Sequence, residues 1–318
     1  MSRTALISHP DCLLHVPPAG HPESASRLAV VLAALNGPGF EDLLRLDAPR
    51  GEDPDIERVH ARTYLDDLDD KRPKTQGRAV ALDADTYLSS GSLEAARFGV
   101  GGVIMGVDGV MRGQFDRAFC ATRPPGHHAE RGRAMGFCLF NSAAIGALYA
   151  RSIYGLTRVA VVDVDVHHGN GSQEIAMSDP DFFYASIHQE GIYPSSGFEH
   201  ETAFGNLVNV PLPEHTPSPR WRRGVETLIL PALAKFAPQI VILSIGFDGH
   251  RLDPLAGFNL EAEDFAWVTD ELLKLTGGKL VSTLEGGYHL EALGACARAH
   301  VSALKNYNKH AGGVPSRG

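Results

Sequence analysis

Residues Arg158 to Gly171 read RVAVVDVDVHHGNG. The β-branched run Val159 to Val162 predicts a buried strand, and the strand ends in Asp163, Asp165, His167 and His168. Side chains alternate along a strand, so Asp163, Asp165 and His167 are expected to leave it on one side. Two carboxylates and an imidazole held together away from water need a cation or another partner. Gly169-Asn170-Gly171 then supplies the backbone of a loop. In open α/β sheets ligands sit beyond the carboxyl ends of the strands, where this cluster falls. A plain polar turn needs one or two Asp or Asn residues, not four ionisable groups within six positions.

Working outward, further apolar runs predict strands at Ala5 to Ser8, Ala118 to Ala121, Phe182 to Ile187, Ile240 to Ile245 and Leu280 to Leu284. Helical patterns lie between them. In Glu261 to Leu275, Phe265, Val268, Leu272 and Leu275 recur at helical spacing behind an acidic first turn. Gly91 to Val110 is rich in Ala and Gly, the composition of a helix packed close against its neighbours. Its glycines, like Gly277-Gly278-Lys279, lack the spacing of a phosphate loop. Strands alternating with helices predict an α/β fold, a single mostly parallel sheet flanked by helices on both faces. The Pro/Gly-rich pieces Pro10 to Pro22, Ala48 to Pro54 and Pro211 to Pro219 are short enough to be loops rather than linkers. One domain is therefore expected over residues 1–318, with its core at about 3–305 and a polar, frayed tail over 306–318.

The chain has 318 residues, enough for one large core. A net charge of −9 offers no diffuse basic surface to draw in nucleic acid. It suits a cationic partner such as a lysine-rich tail or a polyamine, and solubility equally. No apolar run approaches the roughly 18 residues of a spanning helix, and the N-terminal MSRTALISHPDCLLH is no signal peptide, so no membrane role is expected. The four cysteines form no Cys-x-x-Cys pair and point to a reducing cytoplasm.

Three more segments bring reactive side chains to strand ends. IVILSIGFD delivers Asp248, which with Asp165 and His167 would make two carboxylates and one imidazole. A catalytic zinc takes three such ligands and keeps a position open, while an oxygen-rich set also admits Fe(II) or Co(II). RPPGHHA, Arg123 to Ala129, is a stiff non-helical loop that presents His127 beside His128. LEGGY, Leu284 to Tyr288, sets two glycines and a tyrosine after a strand, where backbone can approach a ligand closely.

From His9 to about Leu304 the chain resembles the histone deacetylase and acetylpolyamine amidohydrolase superfamily. The resemblance rests on GHPES (Gly20 to Ser24), DTYLSSGS (Asp85 to Ser92), RPPGHHA, MGFCLFN (Met135 to Asn141), DVDVHHGNG, GFDGHRLDPLAG (Gly246 to Gly257) and LEGGY. Asn170, where the class I branch carries Asp, and the DPLAG segment resemble the class II branch. The resemblance implies the arginase/deacetylase fold, with Asp165, His167 and Asp248 as zinc ligands. It makes His127 and His128 the tandem catalytic pair, oriented by Asp163 and Asn170 respectively, and Tyr288 the catalytic tyrosine. Structural potassium would be held by Asp163 and by backbone carbonyls of Asp165, His167, Ser186 and Ile187. Phe137 and Tyr193 match the tunnel walls. Gly136, Gly287, Leu255 and, at the rim, Asp85 complete the substrate site. HPDCLLH (His9 to His15) becomes a loop near the pocket rather than a second metal site.

The implied activity is zinc-dependent removal of acetyl or other short acyl groups from lysine side chains. The alternatives are an acetylpolyamine deacetylase and a catalytically silent acyl-lysine binding module. In the polyamine-selective relative an acidic gatekeeper stands where this chain has Leu255, which tilts the expectation toward acyl-lysine. An arginase-like binuclear hydrolase would need further acidic ligands. Bacterial-type relatives often form homo-oligomers, but no interface is legible in this sequence.

Overall fold

The β-branched runs form strands because they bury side chains on both faces of a parallel sheet. A computed structural model describes residues 3–307; of the tail expected over 306–318, Asn306 still belongs to the last helix, Tyr307 caps it, and the residues from 308 onward lie outside the described residues. Among the described residues the strands are β1 (Thr4–Ser8), β2 (Leu44–Asp47), β3 (Ala79–Ala81), β4 (Tyr87–Ser89), β5 (Arg117–Cys120), β6 (Val159–Asp163), β7 (Phe182–Gln189), β8 (Leu207–Leu212), β9 (Ile240–Ile245) and β10 (Leu280–Leu284). Eight of them form one sheet in the order β2-β1-β5-β10-β9-β6-β7-β8, and every pairing in it is parallel. β3 and β4 make a separate antiparallel hairpin.

The period of two shows in the two core layers. Ala160, Val162, Val241, Leu243 and Ile245 face one layer, while Val159, Val161, Ile240 and Ile242 face the other. The helices Ala25–Leu35, Ala262–Leu275 and Leu290–Asn306 cover the first face. Ser92–Met111 and Ser142–Tyr154 cover the second. The Ala/Gly-rich helix is as close-packed as its composition suggests: a Cβ at Gly101 would lie 1.8 Å from the Pro49 carbonyl oxygen. The helix expected from Glu261 starts one residue later, with Glu261 as its N-cap in a reciprocal capping box with Asp264. No helix among the described residues is long and apolar enough to cross a membrane.

The topology positions the site. β5, β10, β9 and β6 are consecutive neighbours at the centre of the sheet. Their carboxyl ends feed, in that order, RPPGHHA, LEGGY, GFD and DVDVHHG. Four segments far apart in the chain therefore meet above four adjacent strands.

Candidate metal centre and active site

β6 stops at Asp163, and beyond it the chain turns instead of continuing as a strand. Asp163 Oδ1 accepts a hydrogen bond from the Asp165 amide at 3.1 Å, and Asp165 Oδ1 accepts one from the His167 amide at 2.9 Å. Each carboxylate thus captures the backbone two residues on. The expectation that all three side chains leave an extended strand is replaced by this stepped turn.

The turn brings Asp165 and His167 to Asp248. One ligand atom from each lies within 4.8 Å of the others, and all three residues are buried. His167 Nδ1 stands 3.1 Å from Asp165 Oδ1 and 3.1 Å from Asp248 Oδ2. Burial opposes charge on His167, but the two carboxylates outweigh it and raise its pKa to about 10. Burial, then the neighbouring Asp165, pushes the Asp248 carboxyl up. Two buried carboxylates facing one imidazole is a donor set that fits a divalent cation. The backbone is shaped around it as well: a Cβ at Gly246 would fall 1.8 Å from Asp165 Oδ2, and one at Gly286 would fall 2.0 Å from Asp248 Oδ2. Gly286 donates its amide to Asp165 Oδ2 at 2.7 Å, and Val166 donates its amide to Asp248 Oδ1 at 3.0 Å.

The tandem histidines have opposite surroundings. His127 Nδ1 lies 3.0 Å from Asp163 Oδ2, which also accepts from Tyr184 Oη at 3.0 Å. Burial would depress the His127 pKa, but Asp163 and then Asp165 raise it to about 10. His128 Nδ1 lies 2.9 Å from Asn170 Oδ1. Burial, then the charges of His127 and His167, hold His128 well below the ordinary histidine value. The two rings, 4.0 Å apart, are thus pushed in opposite directions: the carboxylates favour charge on His127, and burial beside two other imidazoles disfavours it on His128.

Sequence reasoning assigned no role to Glu285. Its Oε2 accepts from the amides of Gly126 at 2.7 Å and His127 at 3.2 Å, and so pins the loop that carries both histidines. Burial raises its pKa to about 7. The signal was present: Glu285 is a further acid at the exit of an apolar strand. A second omission is the buried cluster in which Glu23 joins Arg123 at 2.6 Å, Arg27 at 3.2 Å and His15 at 3.2 Å. Arg27 then reaches the Gly287 carbonyl at 2.6 Å and stacks 4.7 Å above the Tyr288 ring.

A cavity of about 210 Å³ opens beside these groups. His128, His167 and Tyr288 line it together with Gly136, Phe137, Tyr193, Leu255 and Asp85. Gly136 has φ +55°, and a Cβ there would come within 2.4 Å of His128 Cδ2. Phe137 also sits at positive φ, 68°, with its amide donated to Thr86 Oγ1 at 3.0 Å, which turns its ring toward Tyr288. Gly287 lies outside this lining, its carbonyl taken by Arg27. Ser186 sits beside Asp163 in the β6–β7 register, and Ile187 follows it in β7. In HPDCLLH, His9 stacks on Phe98 at 3.6 Å and His15 bonds Ser92 and Glu23. Neither belongs to a metal-compatible cluster among the described residues.

Residues 21–304 match the model of the histone deacetylase domain. The histone deacetylase-like amidohydrolase of Pseudomonas aeruginosa is 36% identical over 296 residues, covering 90% of this chain and 77% of that protein. Type-2 histone deacetylase 2 of Dictyostelium discoideum is 35% identical over 352 residues, covering 95% of this chain, which spans only 21% of that larger protein. The crystal structure of the HDA15 HD domain superposes with a TM-score of 0.90 at 33% identity, covering 95% of this chain and 88% of that one. The family match takes in every strand of the sheet except β1 and all four segments that meet above it, and the chain belongs to the histone deacetylase family.

Proposed function

We propose that this protein, acting as a single deacetylase domain, is a zinc-dependent amidohydrolase that removes acetyl or other short acyl groups from lysine side chains. The observation that carries this reading is the single cavity lined by His128, His167 and Tyr288 together with Phe137, Tyr193 and Leu255. Asp165, His167 and Asp248 would hold the zinc. A zinc ion bound there supplies Lewis acidity, polarising the acyl carbonyl and bringing the pKa of a water toward neutrality.

The rest falls to the chain's own side chains. Phe137 and Tyr193 flank a slot that suits an uncharged acyl-lysine stem, whereas a free ammonium would have to shed its hydration. The Asn170 amide oxygen accepts from His128 Nδ1–H, which leaves Nε2 free. That nitrogen takes a proton from the attacking water and returns it to the departing amine. His127, held cationic by Asp163, contributes positive potential. The Tyr288 hydroxyl, kept protonated by burial, donates to the developing oxyanion. Potassium at Asp163 and the backbone carbonyls of Asp165, His167, Ser186 and Ile187 belongs to the same proposal. Four buried, unpaired cysteines are in keeping with a reducing cytoplasm.

Acyl-lysine ranks above acetylpolyamine because the mouth presents Leu255 where the polyamine-selective relative has an acid, which leaves Asp85 as the carboxylate of the lining. The test is kcat/KM for an acetyl-lysine peptide, longer acyl-lysines and N-acetylspermidine, with metal content measured on the same preparation. A higher kcat/KM for the peptide is expected. A strong preference for N-acetylspermidine would reverse the ranking, and inactivity toward all of them at full metal content would favour the silent binding module.

A further inference from the structure

The partner of His128 is an amide, not a carboxylate, and an amide alone brings no net charge to a ring that must accept a proton. The charge lies one group further out. Asn170 Nδ2 donates to Glu130 Oε1 at 2.8 Å, to the His128 carbonyl at 3.2 Å and toward Met135 Sδ at 3.3 Å. Three acceptors around the nitrogen fix the amide so that Oδ1 faces His128 Nδ1. Glu130 is itself held in place. Its amide donates to the Arg133 carbonyl at 3.0 Å, its carbonyl accepts from His60 Nδ1 at 2.9 Å, and Oε2 pairs with Arg133 at 3.1 Å.

The geometry points to Glu130 as a positioning residue of the reaction, forming a His128–Asn170–Glu130 relay in which a carboxylate acts on the proton-transferring histidine through a polarised amide. This rests on the deacetylase reading above. Glu130 and Asn170 then form a matched pair. An aspartate at position 170 would serve His128 directly but would face the Glu130 carboxylate at hydrogen-bond distance, where like charges repel.

Holoenzyme kinetics on an acetyl-lysine peptide test the relay, with metal content and melting temperature measured alongside. Glu130→Gln keeps an acceptor for Asn170 and removes the charge together with the Arg133 pair, whose own contribution Arg133→Ala reads separately. Glu130→Gln should lower kcat by about tenfold, the low end of what outer-sphere partners contribute, and leave KM within about twofold. In an Asn170→Asp background the same change should cause no loss, or a gain, because it relieves the repulsion. An equal loss in both backgrounds, or unchanged kcat in the Asn170 background, would overturn the relay. If Asn170→Asp is itself inactive, Glu130→Ala decides: a loss matching that of Glu130→Gln supports the charge relay, and a loss confined to Ala overturns it. Wild-type enzyme that is inactive on every acylated amine at full metal content would instead count against the deacetylase reading.

Discussion

Replacing Asp248 with asparagine is expected to abolish turnover and to weaken metal binding by more than about 100-fold, because changes in outer-sphere partners alone cost roughly 10–100-fold. The substitution is nearly isosteric and keeps an oxygen for the Val166 amide, so the local backbone should hold. It removes one of two carboxylates from a three-residue donor set with no spare acid in the cluster. Stability should move in the opposite sense. Burial and the adjacent Asp165 both oppose ionisation of Asp248, against a favourable contribution from His167. A neutral side chain should therefore cost the metal-free protein little, and the metal-free variant should melt no lower than metal-free wild type. Added zinc should raise the melting temperature of the wild type only, because a ligand stabilises the state that binds it. Thermal melts with and without zinc, paired with elemental analysis, read both halves. A variant with full zinc content and activity would remove Asp248 from the site.

Tyr288→Phe should reduce kcat about a hundredfold or more and leave the zinc content unchanged, since one oxyanion donor is typically worth about 3 kcal/mol. The ring is held by contacts that phenylalanine keeps: Arg27 above it, Phe137 edge-on at 5.8 Å, and the Tyr288 amide donated to Asp253 at 2.7 Å. Only the hydroxyl is lost. Burial, opposed in part by Arg27, holds its pKa well above the ordinary tyrosine value, so it is a donor throughout the neutral range. A steady-state comparison at saturating peptide isolates that loss. Activity within a factor of about two of wild type would take Tyr288 out of the mechanism.

The central strands were legible because their signal is local. Val159–Asp163, Ile240–Ile245 and Leu280–Leu284 are continuous apolar runs, and each ends in the residues it carries to the site. The edge strands were not. Leu44–Asp47 reads LRLD and is largely exposed, so burial leaves little mark on its sequence. Leu207–Leu212 reads LVNVPL, with Pro211 and Asn209 interrupting the apolar pattern at the other edge of the sheet, where a missing amide is tolerated. The candidate site residues came from motifs; the structure puts Asp165, His167 and Asp248 within reach of one another, pairs His127 with Asp163 and His128 with Asn170, and lines one cavity with His128, His167 and Tyr288. Glu23, Arg27 and Arg123 stayed hidden because a buried charge is recognised by its partner. Here Arg123 lies 100 positions from Glu23, and Arg27 contacts Gly287 260 positions away. Gly287, which the resemblance puts in the substrate site, lies outside the cavity lining and gives its carbonyl to Arg27.

The most direct test of the account is anomalous diffraction at the zinc absorption edge from crystals of active enzyme. It should give a transition-metal peak within bonding distance of Asp165, His167 and Asp248, and no second such peak in the chain. An active crystal with no density among those three side chains, or with two transition-metal peaks there, would contradict it.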